Sequence, residues 1–92
     1  MPEVRFTIRW PDGTEEACYS PSTVIHAHLS AGTAYPLPDF VDRARRGLQA
    51  ASDRVQARFG HPCAAARAEQ ARIVARAAPQ SPDGQVLCLS LT

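Results

Sequence analysis

Val4, Phe6, Ile8 and Trp10 are separated by Arg5, Thr7 and Arg9, a period-two alternation that predicts a half-buried strand from Val4 to Trp10. Pro11-Asp12-Gly13 follows: proline presets φ for a type I turn and glycine supplies the left-handed position of a bulge, so the chain should return over Thr14 to Ser20 as the second strand of a hairpin. Setting Trp10 against Thr14 puts Arg9 opposite Glu15 on the wet face and Cys18 opposite Phe6 on the core face.

Ser20-Pro21-Ser22 breaks this strand, and Ser22 is placed to cap a short helix over Thr23 to Leu29. Ser30 to Pro38, with Gly32, Pro36 and Pro38, reads as a connecting loop. A long helix is predicted from about Pro38 to Phe59. Pro38 suits a first helical position, Asp39 and Asp42 complement the positive end of the dipole, and Gly60 with Pro62 forms a stop. Phe40, Val41, Ala44, Leu48, Ala51, Val55 and Phe59 recur at three- and four-residue spacing, a single stripe for the core. A second helix is predicted from Pro62 to Ala77, with Ala65, Ala66, Ile73 and Ala77 turned inward. Ser81-Pro82-Asp83-Gly84 is a turn, and Val86 to Leu91 alternates again, with Leu87, Leu89 and Leu91 as its core set. The resulting expectation is one α+β domain over residues 1–92. It has a three-stranded, mainly antiparallel sheet covered on one face by a helical hairpin, in the order β-β-α-α-β once the short helix is set aside.

Composition narrows the partners. The chain has 92 residues, 45% hydrophobic and 21% charged, and ten basic residues against nine acidic ones give a net charge of +1. That balance supplies no basic excess for a nucleic acid or an anionic membrane, so neither is expected. Every basic residue is arginine, which we read mainly as the mark of a GC-rich coding sequence. Met1 to Arg5 runs into the first strand without an apolar signal segment and no window is long enough to span a bilayer, so the expected location is the cytoplasm. Cys18, Cys63 and Cys88 are odd in number, widely spaced and free of Cys-x-x-Cys, which points to reduced thiols rather than a disulfide scaffold or a zinc finger.

Four places carry candidate chemistry. Cys63 follows His61-Pro62 at a predicted helix start, where unpaired amides stabilise a thiolate and His61 could assist it; the alternative is a small hydrophobe under the helical hairpin. Cys18 ends a strand beside Tyr19, Ser20 and Ser22, which could bind a small anion or substrate, or could serve as ordinary turn and cap residues. His26 and His28 with His61 and Cys63 hold enough ligand atoms for a metal, but on a helix residues 26 and 28 diverge by roughly 200°, so no metal site is expected. Arg43, Arg45, Arg46, Arg54 and Arg58 resemble a basic patch until Asp39 and Asp42 are set four residues before Arg43 and Arg46; a solvated helix face follows. No motif calls for a cofactor.

Arg9-Trp10-Pro11-Asp12-Gly13, Cys18-Tyr19-Ser20-Pro21-Ser22, Tyr35-Pro36-Leu37-Pro38-Asp39-Phe40-Val41, and Ala51-Ser52-Asp53-Arg54-Val55 through Arg58-Phe59-Gly60 together resemble a family of small bacterial proteins named for its nitrogen-starvation response. The resemblance runs from the N-terminus to about Cys63 and weakens toward the last strand. Genes of that family lie in clusters with a nitrilase, a radical S-adenosylmethionine protein, an acetyltransferase and a flavoprotein, which implies a role beside nitrile or related nitrogen metabolism. It brings no reaction, cofactor or functional residue with it.

Two functions follow as expectations. One is a non-enzymatic accessory or binding protein that works with an enzyme of the same gene cluster. The other is a small thiol-dependent enzyme or covalent carrier using Cys63 or Cys18. A sheet covered on one side also leaves a face and an edge for a homodimer of modest interface.

Overall fold

The structure is a computed structural model that describes residues 3–92; Met1 and Pro2, part of the N-terminal run considered above, lie outside the described residues. Strand β1 spans Val4–Arg9 and strand β2 spans Glu15–Ser20, paired antiparallel with Arg9 opposite Glu15 and Phe6 opposite Cys18. The turn closes through the Trp10 N–H donating to the Thr14 carbonyl at 2.8 Å. Ser22 caps as expected, its hydroxyl accepting from the Val24 N–H, but the short helix is a single stretch of 3-10 helix over Thr23–Ala27.

The sheet has four strands, not three, in the order β2-β1-β4-β3, where β3 is Ala34–Pro36 and β4 is Gln85–Leu91. Every neighbouring pair is antiparallel. Strand β3 falls in the stretch expected as a loop. Its prolines obscure it, yet an edge strand tolerates Pro36, which lacks only a donor. Tyr35 anchors it, buried in the core with its hydroxyl oxygen accepting from the Ser30 N–H at 2.8 Å.

The core assignment of β4 is corrected. Val86 and Cys88 are fully buried, whereas Leu87 and Leu89 are only half-buried. Ile8 pairs with Cys88, which fixes the inward parity, and the register shifts so that Leu89 is the extra residue before Thr7 meets Ser90. The bulge restores Leu91 to the core side opposite Phe6, so the last leucine packs on the core and the other two do not.

Helix α1 spans Leu37–Phe59 and helix α2 spans Ala64–Ala77. Pro38 lies in the first turn of α1 with Asp39, and Gly60 ends it at φ 86° with its N–H donating to the Gln56 carbonyl. Phe40, Ala44, Leu48 and Ala51 are buried against the sheet, and the Trp10 ring meets Phe40 edge-on at 5.7 Å. Each fully buried large side chain of this kind contributes about 1.5–3 kcal/mol. The apolar stripe stops short of its expected end: Val55 is half-buried and Phe59 is 56% exposed. A helix of 23 residues runs about 34 Å, longer than strands of six or seven residues, so its last turns project past the sheet. On α2, Ala66, Ile73 and Ala77 face inward as expected, while Ala65 is exposed. No helix among the described residues is long and apolar enough to cross a membrane.

Candidate functional site

Helix α2 lies along the outer edge of β2. The Tyr19 N–H donates to Glu69 Oε2 at 3.0 Å, and Arg72 Nη2 donates to the Ala17 carbonyl at 3.4 Å. Glu69 and Arg72 also pair with each other at 2.8 Å, so two helix side chains occupy an edge that would otherwise seek another strand. Glu16 joins the network, accepting from Trp10 Nε1 at 2.7 Å and from Arg76, and pairing with Arg72.

This arrangement brings Tyr19 and the start of α2 together. Cys63 is the N-cap of α2 and half-buried, and its N–H donates to the buried Ser52 hydroxyl at 3.2 Å. The Tyr19 phenol is held above its usual value by burial first, then by Cys63 and Glu3, with Arg5 opposing them. His61 is exposed on the connection between the helices and makes no hydrogen bond to Cys63.

Cys18 does not join this group. Its side chain is buried under the sheet, and burial, helped by the charge of Glu69 and by Cys88, pushes its thiol up to about 12. Cys88 is buried too, and burial raises it. Ser20 and Ser22 are buried and occupied with each other: the Ser20 hydroxyl donates to the Ser22 carbonyl at 2.8 Å, and Ser22 caps the 3-10 helix. Among the candidates, the structure therefore leaves Tyr19, His61 and Cys63 with solvent contact. Among the described residues no three of His, Cys, Asp or Glu are grouped to hold a metal ion.

A second feature was not singled out from the sequence. The outer face of the helical hairpin carries an open groove of about 640 Å³ between Arg45 and Gln49 of α1 and Arg67, Gln70, Ala71 and Val74 of α2. It continues into a depression of about 430 Å³ floored by Leu37, Pro38, Val41 and Val74, with Arg45 and Val74 lining both. Val74 is 43% exposed here. Asp39 and Asp42 pair with Arg43 and Arg46 at 2.9 and 3.1 Å, as the four-residue spacing requires. Arg45 and Arg67 make no ion pair or side-chain hydrogen bond among the described residues. The sequence signal was present but faint: Ala64, Ala68, Ala71, Ala75 and Ala78 repeat at helical spacing on the side of α2 away from the core.

The geometry defines a two-layer α+β protein, an antiparallel sheet under a helical hairpin whose outer groove opens to solvent. The chain belongs to the nitrogen starvation-induced family: the family model described as "Nitrogen starvation-induced protein NitG" matches residues 5–91, through the C-terminal strand and beyond the segments that carry the resemblance. No curated protein and no solved structure matches it.

Proposed function

We propose that this chain is an accessory protein that binds an enzyme of nitrogen-starvation metabolism, of the kind encoded in nitrilase-containing gene clusters, through the outer face of its helical hairpin. The observation that carries the reading is the continuous groove in which Val74 stands exposed, lined also by Arg45, Arg67 and Asp42, with neither arginine in an ion pair among the described residues. Exposed apolar side chains rimmed by arginine are the residue types that protein interfaces use, and a groove this open suits a partner's surface better than a small molecule that must be enclosed. Ala75→Trp tests it. Ala75 is exposed, so the larger ring fills the groove without entering the core. Affinity-tagged wild-type chain recovered from nitrogen-starved cells should carry a cluster enzyme in stoichiometric amount, and the tryptophan variant, with an unchanged circular dichroism spectrum, should lose it. Equal recovery by both chains, or recovery of no enzyme by either, rejects the reading.

A second reading rests on Cys63. It is the half-buried thiol among three, set beside Tyr19 at a helix start, which is the setting of a reactive cysteine. In this reading Cys63 forms a covalent adduct with an electrophilic intermediate. Alkylation of Cys63 in the native protein at neutral pH, no faster than that of a short peptide thiol, removes it.

A further inference from the structure

We draw no further inference here: the strongest candidate, the face of the sheet turned away from the helices, where half-buried Leu87 and Leu89 stand beside exposed Ala34 and the Arg9–Glu15 pair, carries nothing because its charges are already paired within the chain and nothing in the structure shows what covers it.

Discussion

The Glu69 carboxylate, on the helix that flanks the sheet, accepts the main-chain N–H of Tyr19 at 3.0 Å on the outermost strand. With Arg72 on the Ala17 carbonyl, it substitutes a charged pair for a neighbouring strand. Glu69→Ala leaves that amide without its partner and removes one of the two carboxylates that hold Arg72, and should lower unfolding stability by about 1–2 kcal/mol. It should also expose β2 to pairing with other chains. Urea unfolding and light scattering on the variant check both; an unchanged midpoint with no gain in scattering contradicts the role given to Glu69.

Gly84 is constrained by close packing. A Cβ at this position would lie 2.5 Å from Pro11 Cβ and 2.8 Å from Pro11 Cγ, atoms of a rigid ring, and 3.2 Å from the Ser81 carbonyl oxygen. The contact seats the β1–β2 turn on the α2–β4 connection, where Gln80 also holds Asp12. Gly84→Ala should destabilise the protein by about 1–3 kcal/mol, as overpacking does. A variant at least as stable as the wild type in thermal unfolding would show that the turn does not dock there.

The buried thiols set an alkaline limit. Burial holds Cys18 neutral, with its thiol at about 12 in the folded chain against an ordinary value of 9.0. The proton is thus bound more tightly by the folded state. The stability that results is complete below about pH 9 and falls as pH rises toward about 12, by up to roughly 1.4 kcal/mol per pH unit. In Cys18→Ala, after allowance for the lost packing, the decline over that window should be shallower. Native alkylation should follow the same division, with Cys63 modified first and Cys18 and Cys88 only on unfolding. Rapid labelling of Cys18 in the folded protein at neutral pH contradicts its burial.

Local chemistry explains which parts of the fold were legible. The first hairpin, its register, the Ser22 cap and the long helix were readable because alternation, Pro-Asp-Gly and Gly60 are short-range signals that the structure obeys. Strand β3 was hidden because three residues that end in Pro36, between Gly32 and Pro38, carry no periodicity, and only pairing with β4 makes them a strand. The parity of β4 was lost because leucines appeared on the wrong face while a bulge at Leu89 reset the pattern, and nothing local marks a bulge without glycine. The candidate site divides in the same way. Cys63 could be placed at a helix start from sequence, but its proximity to Tyr19 depends on α2 lying along the edge of β2. The groove escaped because Arg45 and Arg67 are 22 positions apart and come to line one groove only when the hairpin closes.

Photo-cross-linking in nitrogen-starved cells tests the docking face most directly, with p-benzoylphenylalanine placed at Gln49 on the bank of the groove and, separately, at Ala17 on the exposed side of β2. A groove that holds a partner enzyme requires a cross-link to that enzyme from position 49 and none from position 17. A cross-link from position 17 alone, or one from position 49 only to a second copy of this chain, contradicts it.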